Sequence, residues 1–314
     1  MLHGAFLWLS EQPLVFNFLK GNRLGRSISR RFVAGETVES AVAAARRCEA
    51  RGIKTTLDLL GESVSTEGET HVARDEVLRT IDVMADEGVE TNVSIKLTQL
   101  GLDIGRSVCW NNLRQILDRV RERNGFIRID MENSDCTERT LDLFRRDVLP
   151  FYKDHCGVVI QSYLKRSGRD VGDLIGMGAR IRLCKGAYAE PDNVALQAKQ
   201  DVDANYLELM RSLVKEGNYP AIATHDSAMI DQTIAFVKEH NIGADRFEFQ
   251  MLYGVRRDLQ DSLRARGFNM RVYIPFGTAW YPYLMRRMAE RPANLGFMVG
   301  SMTKELFSRN DRPT

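Results

Sequence analysis

The chain has 314 residues, and its 44 Lys and Arg against 42 Asp and Glu leave a formal charge of +2 at pH 7. That balance is too small for the general positive field by which proteins bind nucleic acid. Hydrophobic residues make up 44% and charged residues 27%, which excludes the disordered and low-complexity classes. We therefore expect a globular protein with no nucleic-acid partner.

The first 35 residues are predicted to form an N-terminal helical arm. Residues 1–20 are apolar, but Glu11, Pro13 and Asn17 interrupt them, and no positively charged segment precedes them. The segment therefore fits neither a signal peptide nor a membrane span. It either packs over the core or lies peripherally on the inner face of a membrane.

The five cysteines are widely spread, with no CxxC pair and no metal-ligand spacing. This usage is typical of free thiols in a reducing cytoplasm. The histidines lack HExxH spacing, so no metal site is predicted.

From residue 36 onward, amphipathic helical patterns alternate with eight short apolar runs rich in β-branched residues. The predicted strands are 54–60, 91–97, 125–131, 157–163, 179–184, 221–225, 247–252 and 269–275. The predicted helices are 36–51, 73–88, 111–123, 137–147, 199–216, 227–240, 255–266 and 280–290. Eight such units in about 250 residues predict a closed (β/α)8 TIM-like barrel over residues 36–314. No GxGxxG follows the first strand, which disfavours an open dinucleotide-binding sheet.

Polar residues cluster at the predicted strand ends, where a barrel places its active site. They are Asp58, Lys96, Asp130, Glu132, Gln161, Tyr163, Arg182, Lys185, Thr224, His225, Asp226, Glu248, Gln250 and Tyr273. Each alone has an ordinary structural explanation, such as a satisfied core histidine at His225. Together they predict one mouth lined by buried polar groups, and buried charge needs partners.

The stretch WYPYLMRRMAERPAN places Tyr283, Arg286, Arg287 and Glu290 at i, i+3, i+4 and i+7, on one helical face. A solvated face with Arg–Glu pairs would carry the same residues, and the stretch alone favours that interpretation. Paired guanidinium groups entering a basic mouth would instead bind a small carboxylate or a phosphate.

The motifs of common hydrolases, such as GxSxG, are missing from the sequence. Two chemistries remain open from the residues alone. One is a Schiff-base lyase that uses Lys96 or Lys185, and the other is redox catalysis by a cofactor that the basic residues bind.

Six strings resemble, in order and spacing, the motifs of the proline dehydrogenase family. They are IRIDMENS, VIQSYLKR, RIRLCKGAYAEP, ATHD, FEFQMLYG and YIPFGTAWYPYLMRRMAERPAN. The resemblance implies a distorted flavin-binding barrel that oxidises L-proline to Δ1-pyrroline-5-carboxylate with FAD and passes electrons to a membrane quinone. The length implies a monofunctional member without an aldehyde dehydrogenase half.

The same resemblance implies the substrate site. Arg286 and Arg287 would bind the substrate carboxylate, with Lys96 as a third cation. The remaining residues would orient these cations, wall the proline ring or lie beside it: Asp130, Leu183, Tyr273, Tyr283 and Glu290.

For the cofactor, the resemblance places Arg182 near the flavin N5 and Gln161 at the isoalloxazine edge. The phosphate and ribose region would be lined by Lys185, Gly186, Ala187 and Tyr188, and the site completed by Thr224, His225, Glu248 and Gln250. One departure is Cys184, where relatives often carry valine. Three alternatives remain: a flavin barrel of the methylenetetrahydrofolate reductase type, a Schiff-base lysine aldolase and a non-enzymatic binding module.

Overall fold

The computed structural model describes residues 31–61 and 64–284. Phe32–Thr278 form one compact unit, whereas Arg31 and residues 279–284 belong to a second unit. A helix begins at residue 280. Most of the predicted arm, together with Arg286, Arg287 and Glu290, lies outside the described residues.

Eight parallel strands close into a barrel in sequence order, with the last strand paired to the first. They are β1 (Lys54–Leu59), β2 (Asn92–Ile95), β3 (Phe126–Ile129), β4 (Cys156–Gln161), β5 (Arg180–Cys184), β6 (Ala221–Ala223), β7 (Glu248–Leu252) and β8 (Asn269–Phe276). Each of the eight predicted runs overlaps one observed strand, and the predicted (β/α)8 fold is confirmed.

One helix precedes β1, and the others occupy the crossovers between the strands. They are α1 (Val38–Glu49), α2 (Glu67–Asp86), α3 (Arg106–Glu122), α4 (Ser134–Leu143), α5 (Leu149–Tyr152), α6 (Ser167–Gly176), α7 (Lys199–Glu216), α8 (Ser227–Glu239) and α9 (Arg257–Ala265). A capping box between Thr66 and Glu69 starts α2, about six residues before its predicted start. The α4 helix runs into a π-helix, Phe144–Val148, before α5 begins.

Helix α6 is missing from the predicted helices. Its sequence SGRDVGDLIG contains three glycines, each of which lowers helix propensity by about 1 kcal/mol. Packing of Val171 and Leu174, both buried, compensates for that weak propensity. Tertiary contacts, rather than local helix propensity, therefore determine that this segment is helical.

The strand register shows which side chains point into the barrel. Asp58 pairs with Ser94, Ser94 with Arg128, Arg128 with Gly157, and Gly157 with Arg180. Paired residues of a parallel sheet face the same side, and neighbours along a strand face opposite sides. Branched apolar residues usually fill a barrel interior. Here much of the interior is polar, and the apolar core lies largely between the strands and the helices.

Candidate active site at the carboxyl end of the barrel

A buried ion pair joins the ends of β1 and β2. Lys96 Nζ lies 2.9 Å from Asp58 Oδ1 and 3.9 Å from Asp130 Oδ2. Burial raises the pKa of Asp58, although the charge of Lys96 opposes this. Burial alone would lower the pKa of Lys96, but the two carboxylates outweigh it and raise that pKa. Lys96 is therefore held as an ammonium ion.

Asp130, at the end of β3, accepts hydrogen bonds from two further side chains. Its Oδ1 accepts a hydrogen bond from Arg182 Nη1 at 2.6 Å, and its Oδ2 accepts one from Tyr273 Oη at 2.8 Å. Arg182 also donates to Ser94 Oγ at 3.1 Å. Burial, and then the charge of Asp130, raise the pKa of the Tyr273 phenol well above its usual range, so it remains a donor.

These contacts bring Lys96, Asp130, Arg182 and Tyr273 together at the carboxyl end of the barrel. Asp58 completes the network, although the family motifs did not assign it a site role. Its position at the end of the first apolar run had already placed it among the polar residues expected at the mouth.

Leu183 lies on the opposite side of the sheet from the site. It follows inward-pointing Arg182 on β5, and it is fully buried in the apolar core. Its predicted place beneath a bound ring is therefore wrong. Leu252, which pairs in register with Tyr273, is an apolar residue that points inward near this network.

Gln161 Oε1 and Arg182 Nε, both near the mouth, are two of the buried polar atoms that have no hydrogen-bond partner among the described residues. Gln161 is 3% exposed, and its Nε2 donates to the Met131 carbonyl at 3.3 Å, whereas its Oε1 has no donor. The Nε of Arg182 also lacks an acceptor. An unsatisfied buried polar group costs about 1–3 kcal/mol, so the pair indicates a place for a bound group.

The loop that follows β5 carries four predicted cofactor residues. Lys185 Nζ lies 2.9 Å from Asp226 Oδ2 and also pairs with Asp203. Gly186 has a φ of +115°, and a Cβ there would lie 2.3 Å from Cδ1 of the Tyr163 ring. No other residue fits that position without a shift. Ala187 and Tyr188 continue the loop.

A cleft of 540 Å³ lies beside this loop, lined by Tyr163, Lys185, Gly186, Tyr188, Glu190 and Val202. Three contacts fix the loop around it. Leu196 N–H donates to the Tyr163 carbonyl at 2.7 Å, and Lys165 N–H donates to the Val194 carbonyl at 3.0 Å. Ser134 N–H donates to Glu190 Oε1 at 2.7 Å, which ties the loop to the first turn of α4.

Thr224 and His225 follow β6, as predicted. Thr224 Oγ1 accepts a hydrogen bond from Asp226 N–H at 3.1 Å. The Nε2 of His225 accepts one from Leu252 N–H at 2.9 Å. That contact places the proton of the neutral imidazole on Nδ1.

Glu248 is the first residue of β7 and lies at the amino end of the barrel. It accepts hydrogen bonds from Arg271 Nε at 2.8 Å, Gln250 Nε2 at 2.6 Å and Tyr219 Oη at 3.3 Å. The predicted position of Glu248 at the mouth is therefore wrong, and Gln250 is directed toward Glu248. The apolar run FEFQML ends at Leu252, so Leu252 is the residue of this strand at the mouth.

The remaining predicted substrate residues are not placed relative to this network. Tyr283 belongs to the second unit, and Arg286, Arg287 and Glu290 lie outside the described residues. No helix among residues 31–61 and 64–284 is long and apolar enough to cross a bilayer.

A closed parallel barrel with a buried charge network at the carboxyl ends of its strands defines a (β/α)8-barrel enzyme. The family model described as proline dehydrogenase matches residues 41–299. A proline dehydrogenase of Deinococcus radiodurans is 43% identical over 303 residues, which cover 96% of this chain and 97% of that protein. Proline dehydrogenase 2 of Bacillus subtilis is 40% identical over 300 residues, covering 96% and 98%. The chain belongs to the proline dehydrogenase family.

The fold also matches a solved structure of proline utilization A from Bdellovibrio bacteriovorus, inactivated by N-propargylglycine. The TM-score is 0.79 at 24% identity, and the match covers 90% of this chain but 34% of that one. This likeness supports the barrel alone. Family membership implies an oxidoreductase that acts on proline with a flavin cofactor.

We expect Glu248→Gln to destabilise the barrel in a pH-dependent way. Burial would raise the pKa of Glu248, but Arg271 outweighs it and lowers the pKa from 4.5 to about 2. A carboxyl group whose pKa is lowered by folding stabilises the folded state fully at pH values above its pKa in the unfolded chain. That stabilisation is lost as the pH falls through the pKa in the folded state. The variant should lose about 3 kcal/mol of unfolding free energy at pH 7, and this difference should shrink below pH 4.5 toward pH 2.

Chemical denaturation at pH 7, 5 and 3 measures this difference. The control is Glu122→Gln, because that carboxylate is 68% exposed and should contribute under about 0.5 kcal/mol. A Glu248→Gln difference that is the same at all three pH values would contradict the assignment.

Proposed function

We propose that this chain oxidises L-proline to Δ1-pyrroline-5-carboxylate with FAD as its cofactor. The observation that carries the proposal is Asp130, bound at the barrel mouth by Arg182 and Tyr273 beside the Lys96 ammonium, in a member of this family. The methylenetetrahydrofolate reductase alternative gains no support from the family match.

The described residues fit a flavin. A flavin ring edge offers N–H donors and acceptor atoms, which complement the unpartnered Oε1 of Gln161 and Nε of Arg182. Gly186 would allow close approach of the backbone, and Lys185 would supply positive charge near the phosphates. The proposed site also includes Ala187, Tyr188, Thr224 and His225. When bound, FAD would supply the acceptor for the hydride that C5 of proline loses, and the ring nitrogen would release its proton as the C5–N double bond of Δ1-pyrroline-5-carboxylate forms.

Proline is a small carboxylate with an apolar ring, and the proposed substrate residues match both parts. Arg286 and Arg287, with Glu290 to orient one of them, would bind the carboxylate through planar guanidinium groups. Lys96 would add a third cation. Tyr273 and Tyr283 would cover the ring, and Leu252 would take the apolar role first predicted for Leu183.

Asp130 is best assigned as the group that orients the cations and the phenol. Both of its oxygens already accept hydrogen bonds, from Arg182 and from Tyr273. Arg182 would thereby be fixed where negative charge develops during the reaction, and such fixed donors need no reorganisation at that moment.

The Schiff-base alternative conflicts with the state of Lys96. A lysine nucleophile must be a neutral amine, which requires a lowered pKa. The carboxylates of Asp58 and Asp130 raise it instead. A charged Lys96 fits a role in binding an anion.

We propose a quinone as the electron acceptor and a reversible contact of residues 1–20 with a membrane. Both rest on the family resemblance and on the apolar sequence of that segment. Co-sedimentation of the protein with lipid vesicles, with and without residues 1–20, tests the contact. Equal sedimentation of the two forms would contradict the proposed membrane contact of residues 1–20.

The proposed reaction predicts that the purified protein is yellow and that proline bleaches it. Anaerobic addition of L-proline should remove the visible flavin absorption band, and a soluble quinone should restore it. L-Alanine serves as the control, because its carboxylate and amine lack a ring. A colourless protein that FAD cannot reconstitute would rule out the proposal.

Tyr273→Phe should lower kcat/KM for proline, because it removes the hydrogen bond that the phenol donates to the Asp130 carboxylate. Such a bond contributes about 1.5–3 kcal/mol, so the loss should be about tenfold or more. Tyr152→Phe is the matched control. It removes a similar bond, from Tyr152 Oη to Asp118 at 2.7 Å, between α5 and α3 on the outside of the barrel. Equal kcat/KM in both variants would argue against a role for Tyr273.

Arg286→Lys and Arg287→Lys should each raise KM for proline, although the charge is kept. Lysine cannot form the two parallel bonds of a guanidinium to a carboxylate. Full truncation of a buried charged partner costs about 2–5 kcal/mol, so a lysine variant should lose part of that amount. An unchanged KM in both variants would instead support the interpretation that these arginines lie on a solvated helix face.

A further inference from the structure

A second group of cations lies inside the barrel, at the end opposite the proposed active site. Lys54 and Arg180 are the first residues of β1 and β5, Arg128 is the third residue of β3, and the rings of Phe126 and Tyr219 lie beside them. We call these five residues the amino-end cluster. The oxidation of proline uses none of them.

The carboxylates nearby are already bonded to another arginine. Arg271 Nε lies 2.8 Å from Glu248 Oε1, and Arg271 Nη2 lies 2.9 Å from Glu90 Oε1. Among the described residues, no carboxylate oxygen lies within 4.0 Å of the charged nitrogens of Lys54, Arg128 or Arg180. Three positive charges therefore lack a direct counter-charge.

The hydrogen bonds of the two arginines leave capacity for an acceptor. Arg128 is 3% exposed, and its Nη1 donates to the carbonyls of Arg180 at 2.7 Å and Val158 at 3.3 Å. The Nε of Arg180 is buried without an acceptor among the described residues. A buried charged donor without a partner is costly, because the protein replaces water that would have solvated it.

The cations of the cluster also lie against two aromatic rings. The Cζ atoms of Arg128 and Arg180 lie 4.9 Å and 4.3 Å from the Phe126 centroid. Arg180 Cζ and Lys54 Nζ lie 5.0 Å and 5.8 Å from the Tyr219 centroid. Burial, and then the charges of Arg182 and Arg180, lower the pKa of Arg128 well below its usual range. Like charges are thus held together, and an anion among them would relieve their repulsion.

Backbone features at two positions maintain this arrangement. Tyr219 has a φ of +45°, a left-handed conformation that costs a bulky residue about 1–3 kcal/mol. A Cβ at Gly157 would lie 2.4 Å from Arg128 Nη1, so glycine leaves room for the guanidinium. Closing the barrel end would need neither feature, because branched apolar residues do this in most barrels.

We propose that the amino-end cluster binds a small oxyanion or carboxylate between Arg128 and Arg180, at a site independent of proline oxidation. Guanidinium groups match the planar or tetrahedral oxygens of such ions. Lys54, Arg180 and Tyr219 are half-buried, so an ion can reach the site from solvent at the amino end.

Inorganic phosphate is the probe, and the protein is used with its flavin bound so that phosphate cannot report on the cofactor site. At constant ionic strength, the thermal midpoint of the wild type should rise with phosphate and then saturate, as specific binding to the folded state requires. Arg180→Gln should abolish the saturating rise. Arg169→Gln, at an arginine 88% exposed on α6, should keep it.

Crystals of the wild type soaked in bromide give a second measurement that does not depend on a variant folding. An anomalous peak between Arg128 and Arg180, with saturation in solution, is the expected result. A peak without saturation would mean an adventitious ion only. A rise that does not saturate and is equal in all three proteins, or a map without a peak, would overturn the proposal.

Discussion

A charge inside a closed barrel must find its partner within that barrel. Removing an ion from water costs several kcal/mol, and the attraction of a buried pair offsets this only when its geometry is good. The inward-pointing carboxylates follow this constraint in two layers. At the carboxyl end, Asp58 pairs with Lys96 and Asp130 with Arg182. Nearer the amino end of the barrel, Glu248 accepts a hydrogen bond from Arg271.

The constraint links stability to function. Because Asp130 must be satisfied, it orients Arg182 and Tyr273 whether or not a substrate is present. The contacts of Glu190 and Tyr163 likewise order the loop after β5 before any ligand arrives. Groups that are already ordered lose little entropy on binding, and a site built this way can bind and orient at low cost.

Most of the fold could be predicted from the sequence, because each strand has an apolar outer face covered by a helix. Because of that requirement, each strand appears in the sequence as a short apolar run such as GVVIQSY, and an amphipathic pattern marks each helix. Helix α6 could not be predicted, since its glycines weaken the local signal and only its packing specifies it. The π-helix after α4 had no local signal either.

The site was predictable in part for a related reason. The strand ends identified Lys96, Asp130 and Arg182, because polar residues there interrupt apolar runs. Register decides which of two adjacent residues points inward and which end of a strand a polar residue occupies. Leu183 and Glu248 were therefore misplaced, since the pairing between strands is visible only in three dimensions.

The π-helix Phe144–Val148 has a consequence for how this barrel tolerates change. A π-turn holds one more residue than the α-helical turn it replaces, so it turns the following segment by about 100° relative to an uninterrupted helix. After that turn, Leu149 and Tyr152 are buried and Phe151 is 68% exposed. The extra residue thus changes which side chains of the following segment face the core. Loss of one residue here would exchange buried for exposed side chains downstream while leaving every strand of the barrel unchanged.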